Sequence, residues 1–395
     1  MRCQDPTSLP ICRRDPRAQQ GFSLVELLVA IVIGLVLTLT LTTVITQFEG
    51  SKRGMNSANE QSITSAFTSF EFDRQLRSAG SGFVQSAANN NTGASFGCRL
   101  QVARNGAQIL PRLTAFPAPF NNVPQQISLA PVMVFAGAGT GGSDVLMLAA
   151  GASGLGETAL RISPNSATPT SLRITNTLGM RGGDLMLLID PSMGGNCMLQ
   201  QVATPFAGGA SQLLNFGGAY ASQQIGGTIL ANIATTSAST LVPLGNITGN
   251  RPNFKLMGIG ANATLYYLDL LRLDNVDTAQ AMSDGIVDLR VLYGVDSDSD
   301  GRVDSWVSPA AGNFTAAALS NGTPAAQANL LSIRSLRIGM ILRSERIERE
   351  AVNSAPLTLF GDFAPALKVT RNLSADEQRQ RFRTLEFTVP LRNML

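Results

Sequence analysis

The chain has 395 residues, of which 14% are charged, and a formal net charge of +3. That length supports one large or two modest cores, and the near-balanced charge forms neither a basic groove nor an acidic tail, so nucleic acid is not an expected partner. Histidine is absent throughout, which excludes Ser-His-Asp and Cys-His catalysis and removes the commonest transition-metal ligand.

The first 21 residues are polar, carry Arg2, Arg13, Arg14 and Arg17, and end at Gly21. From Leu27 to Thr46 come twenty positions without a charge, dominated by Leu, Val and Ile, the length a helix needs to cross a bilayer. A secretory signal has a shorter apolar run ahead of its cleavage site and loses that run on processing. Here the polar leader comes first. Its arginine excess over Lys52 and Arg53 beyond the helix places the N-terminus inside and the C-terminal part outside. Glu26 sits in the first turn of this helix, where a carboxylate costs less than the roughly 2.5–3.5 kcal/mol expected at the membrane centre. By spacing alone, Ser23 and Glu26 read as a capping box in a favourable helix-dipole position. Ala30 and Gly34 have the small-xxx-small spacing of close helix contacts, or are ordinary membrane-helix composition.

The run Gly21-Phe22-Ser23-Leu24-Val25-Glu26-Leu27-Leu28 resembles the class III signal of type IV prepilins and of type II secretion pseudopilins. The resemblance implies cleavage after Gly21 by a prepilin peptidase/methyltransferase and N-methylation of the new Phe22 amine. It also implies that Glu26 neutralises the Phe22 amine of a neighbouring subunit, setting axial register during assembly.

Past the membrane a helical stripe continues, with Ile63, Phe67 and Phe70 at steps of four and three and Phe72 four residues before Leu76. The helix is expected to end near Arg77, ahead of Gly80-Ser81-Gly82, and the aromatic stripe to be core packing. Gly50 and Gly54 are places for a bend. From residue 83 short apolar or alternating segments predict strands at Asp144 to Ala149, Ser171 to Thr175, Asp184 to Asp190, Cys197 to Ala203, Ala263 to Leu270, Ile286 to Val295, Leu331 to Arg343 and Arg381 to Pro390. Segments 85–130 and 204–250, rich in Asn, Gly, Gln, Ser and Pro, read as loops and insertions. The charge-alternating stretch Arg343 to Glu350 reads as a solvated rim. Gly137 to Gly142 satisfies G-x-G-x-x-G, but the segment after it reads as a strand, so a glycine hairpin is expected and a dinucleotide site is not.

The segment Ile286 to Asp296, running into an aspartate loop and Trp306, resembles PilW-type minor pilins, and so does the ending Leu385 to Asn393. The resemblance implies an α+β, type IV pilin-like fold, in which a long N-terminal helix, membrane-spanning in its first half, packs on a β-rich periplasmic domain. Its parts would be a cleaved leader at 1–21, a transmembrane and assembly helix at 22–48, a periplasmic continuation at 49–79 and a β-rich globular domain at 80–395. It implies a non-enzymatic minor pilin of the inner membrane that enters the extracellular pilus and primes assembly near the tip. Its partners would be other minor and major pilins, the inner-membrane assembly platform and a PilY-family tip adhesin. The alternative is a minor pseudopilin of a type II secretion system, which shares the N-terminus.

Cys3 and Cys12 precede the apolar helix, leaving Cys98 and Cys197 as the pair in the remainder. In an oxidising compartment they are expected to form a disulfide; the alternative is two buried thiols. Asp296, Asp298, Asp300 and Asp304 stand at positions one, three, five and nine of a loop with Gly301 at six, spacing that resembles the first part of an EF-hand calcium loop. Arg302 at seven would offer its carbonyl, while Val307 replaces the glutamate at twelve, so the expected Ca2+ site needs other oxygens. The competing reading is a solvated Asp/Ser/Gly turn.

Overall fold

The structure is a computed structural model and describes residues 23–83, 96–153, 159–190, 193–209, 211–235 and 237–394. The leader, with Gly21 and Phe22, lies outside the described residues. The chain divides into two compact units, Met1–Ala58 and Asn59–Leu395.

Helix α1 runs Leu24–Leu76. Its apolar part is long enough to cross a membrane and none of it is buried within the protein. The threonines that interrupt the Leu/Val/Ile run return their hydroxyl protons to the helix: Thr38 donates to the Gly34 carbonyl at 2.9 Å and Thr42 to the Leu39 carbonyl at 2.8 Å. Each hydroxyl so paired leaves no unmet donor on the apolar surface of the helix. At the far end the chain leaves the helix through Gly80, whose φ of +78° suits glycine, and the Gly80 amide bonds to the Ala149 carbonyl at 2.9 Å.

Strands β1 (Arg99–Arg104) and β2 (Ala107–Leu110) make one hairpin, β3 (Val132–Phe135) and β4 (Val145–Ala150) a second. Then come β5 (Leu160–Arg161), β6 (Ser171–Arg173), β7 (Asp184–Ile189), β8 (Asn196–Gln201), β9 (Leu213–Asn215), β10 (Gln224–Ile225) and β11 (Thr228–Ile229). β12 (Thr240–Asn246), β13 (Asn253–Ile259), β14 (Leu265–Asp269) and β15 (Gln280–Ser283) are next, with β16 (Ile286–Val295) and β17 (Ser305–Val307) behind them. Helices α2 (Ala316–Leu319) and α3 (Pro324–Ser332) precede β18 (Ile333–Ile347), β19 (Leu357–Leu359), β20 (Val369–Arg371) and β21 (Gln380–Pro390). Three larger sheets result, in strand orders β2-β1-β8-β7-β12-β5, β15-β14-β13-β4-β3 and β17-β16-β18-β21. Among the described residues β1 and β8 form a parallel pair, whereas the other ladders are antiparallel. Phe72 and Leu76 of α1 join the main core, with Phe387 edge-on to Phe72 at 6.4 Å.

Several expectations are corrected. Segment 85–130 contains β1 and β2, because Leu100 and Val102 are buried in a sheet interior. Segment 204–250 contains β9 to β12, and β12 is a long interior strand despite Pro243. The proline is accommodated at a register shift between Pro243 and Gly245, where a missing N–H breaks no regular ladder. The strand expected from Leu331 starts at Ile333, since Leu331 and Ser332 form the end of α3, which is capped by the Thr323 hydroxyl accepting from the Ala326 amide and has Pro324 in its first turn. β18 runs into the charge-alternating stretch, where Glu345 and Arg346 are exposed as expected. The glycine motif forms a hairpin between β3 and β4, where Asp144 accepts from the Gly137 amide at 3.0 Å.

Candidate functional site

At the head of α1, the Ser23 hydroxyl accepts from the Val25 amide at 3.3 Å, an N-cap on the second helical residue. The Glu26 amide bonds the Ser23 carbonyl at 3.0 Å. A reciprocal bond from the Glu26 carboxylate to Ser23 is not made among the described residues, so the capping box is half formed and the exposed carboxylate stays open to another partner.

In the second unit the helix has two faces of opposite character. Gln61, Ser65, Thr68, Phe72 and Leu76 are buried at steps of four and three. Small polar groups seat them: Gln61 donates to the Arg381 carbonyl at 2.8 Å, and the Thr68 hydroxyl to that of Ser283 at 3.2 Å. Ile63, Phe67 and Phe70 retain 61%, 50% and 65% exposure. With about 100° of rotation per residue, they lie on the side of the helix away from the sheet. The expected core role of this stripe is therefore corrected. Periodicity groups the three on one face but does not say which face the domain covers.

The aspartate loop lies between β16 and β17. Asp296, Asp298 and Asp304 offer oxygens within 4.8 Å of one another, while Asp300 stands outside that group. Asp296 is buried and accepts from the Ser299 amide at 2.7 Å, the Gly301 amide at 3.0 Å and the Arg334 guanidinium at 2.9 Å. Gly301 has φ of +86°, a conformation that favours glycine at the turn. Burial pushes the Asp296 carboxyl up, but Arg334 and the Gly301 and Ser299 amides outweigh it and hold it below the ordinary carboxylate value. The Ser297 hydroxyl and amide, donating at 2.6 and 2.7 Å, likewise lower Asp304. Asp300 accepts from the Arg302 amide at 2.8 Å. Sequence reasoning missed Arg334, which stands 38 residues from Asp296 with no local signal to join them.

Cys98 and Cys197 form a disulfide, with Cα atoms 5.7 Å apart and a sequence separation of 99. It lies along the parallel β1–β8 pair, where Leu100 is opposite Cys197.

Residues 258–393 match the family model of type IV pilus-assembly protein W, and residues 16–42 match the prokaryotic N-terminal methylation motif. No curated protein and no solved structure matches the chain. A methylation motif at the head of an exposed apolar helix, with a β-rich domain behind it, defines a type IV pilin-like protein. Within that class, residues 258–393 are similar to PilW-type minor pilins, a family of structural pilus components.

Proposed function

We propose that the chain is made as a prepilin, cut after Gly21 by the prepilin peptidase, N-methylated at Phe22 and assembled with other pilins, priming the pilus near its tip. Before assembly its helix anchors it in the inner membrane and its β-rich domain is periplasmic. The observation that carries this reading is unburied apolar surface on α1: the whole apolar segment in the first unit, and in the second Ile63, Phe67 and Phe70, opposite a face that is already packed. In water the exposed stripe is unfavourable. Covering what remains open of the three side chains would contribute on the order of 3–5 kcal/mol. Neighbouring pilin helices supply such a cover, and Glu26 is free at the head of the same helix to meet the Phe22 amine of a neighbour. The PilW match favours a pilus over a type II secretion pseudopilus.

The reading extends to Ca2+ in the aspartate loop. It would be held by Asp296, Asp298 and Asp304, with Asp300 and the Arg302 carbonyl as further oxygens, and would draw the loop's negative charges together. The convergence of three carboxylates supports it, and Arg334 competes with it by already neutralising Asp296.

The deciding experiment replaces Phe67 and Phe70 by serine in the full chain. Insertion and disulfide formation should be unchanged, while recovery in sheared filaments should fall at least tenfold. Undiminished recovery would remove the helix face from the assembly.

A further inference from the structure

The longest open sheet edge in the described structure is β21. The other ends of the three larger sheets, β2, β5, β15, β3 and β17, are two to four residues long, whereas β21 has eleven. Short edges are blunt; a long one is a template for another strand.

The phase of its hydrogen bonding is set by the Leu391 amide, which bonds the Arg334 carbonyl at 2.8 Å and continues the β18–β21 register. In an antiparallel ladder alternate residues bond to the neighbour, so Arg383, Leu385, Phe387 and Val389 face β18. The amides and carbonyls of Phe382, Thr384, Glu386 and Thr388 then point outward at a repeat of about 7 Å. Among the described residues nothing hydrogen-bonds to them.

Both faces of this strand are already occupied. Phe387 meets Phe72 of α1, and Arg383 donates to the Ser62 hydroxyl at 3.0 Å. On the other face Phe382 packs with the cluster around Leu359 and Phe360, and Glu386 accepts from the Phe360 amide at 2.8 Å. What is left open is backbone. The segment from Phe382 to Thr388 has no proline or lysine, and its two charged side chains, Arg383 and Glu386, are engaged on the faces of the strand by Ser62 and the Phe360 amide. Exposed Arg383 makes no ion pair among the described residues.

We infer that β21 accepts an extended strand from a partner protein, carrying a carboxylate where the added strand passes Arg383. A second copy of this chain fits less well: in symmetric pairing of two β21 strands, Arg383 would face Arg381, another Arg383, Leu385, Phe387 or Val389, never a carboxylate. The inference rests on the assembly reading above, because the partner strand is met in the pilus.

The test uses full-length chain in its own membrane and reads its recovery in sheared pili. Thr384→Pro with Thr388→Pro removes two outward amides that the fold does not use, and proline is tolerated at such edge positions. The proline pair should reach wild-type level in the membrane with its disulfide formed, yet fall at least tenfold in pili. Thr384→Ala with Thr388→Ala keeps the amides and should be recovered like wild type. Equal recovery of the proline pair, or equal loss of the alanine pair, overturns strand addition while leaving the assembly reading intact. Wild type missing from pili overturns both. Should the proline pair misfold, amide exchange on the wild-type chain decides. The four outward amides should exchange at least tenfold more slowly in pili than in detergent-solubilised chain, and equal rates reject the inference. A benzophenone placed at Thr384 that cross-links only to a second copy also rejects it.

Discussion

Asp296 shows how much one buried carboxylate depends on its surroundings. It sits beneath the loop with Arg334 and two backbone amides on its oxygens, and its folded value lies below the ordinary one. A depressed carboxylate contributes stability that is present above its unfolded value and lost as pH falls through its folded value. Asp296→Asn should therefore melt below wild type at neutral pH, and the gap should close as the solution is acidified past the ordinary aspartate range. Thermal melts of both chains across that range check it; a gap that widens in acid would contradict the assigned sign. The same loop is the place to test Ca2+. If the ion is held, millimolar calcium should raise the melting temperature of the wild-type chain, and Asp298→Ala with Asp304→Ala should abolish the rise. No shift and no calorimetric heat would leave a turn closed by Arg334 and the loop's own hydrogen bonds.

At the scale of elements, the parallel β1–β8 pair is the place where the disulfide matters most. Parallel neighbours cannot be joined by a tight turn and need a long connection, here spanned by a sequence separation of 99. In the chain-entropy model, a cross-link closing such a loop stabilises by as much as about 4–5 kcal/mol. Cys98→Ala with Cys197→Ala should lower the urea midpoint of the β-rich domain accordingly, with loss first in the sheet that contains β1 and β8. An unchanged midpoint would mean that the remaining ladder holds this pair without the bond. α1 shows the complementary case. Its buried face is mostly small and polar, and its exposed face carries two phenylalanines and an isoleucine. The helix is fully specified as a helix by its own residues, but its orientation on the sheet depends on which side fits closely.

For the whole molecule, the proposed function puts processing before assembly. Gly21→Ala places a side chain at the expected cut and should leave a full-length precursor in the membrane, visible as an intact Met1 by mass spectrometry. Glu26→Ala makes the helix more apolar, so it should insert and be cut like wild type, yet be depleted in filaments. Normal recovery of Glu26→Ala would restrict that residue to the helix N-terminus.

The features legible in the sequence are those that local physics settles. A bilayer requires every backbone group of a spanning segment to be satisfied within it, so twenty uncharged positions after a basic stretch specify a helix long and apolar enough to span a membrane without reference to the rest of the chain. β16 was likewise readable to its ends, and the isolated cysteine pair anticipated the bond observed. The tertiary structure decided the rest, because periodicity fixes residues relative to one another and not relative to a distant surface. It turned Ile63, Phe67 and Phe70 outward, made Thr240 to Asn246 an interior strand around a proline, and brought Arg334 to Asp296 across the sheet. Each depends on contacts between residues far apart in the chain, and no local pattern encodes them.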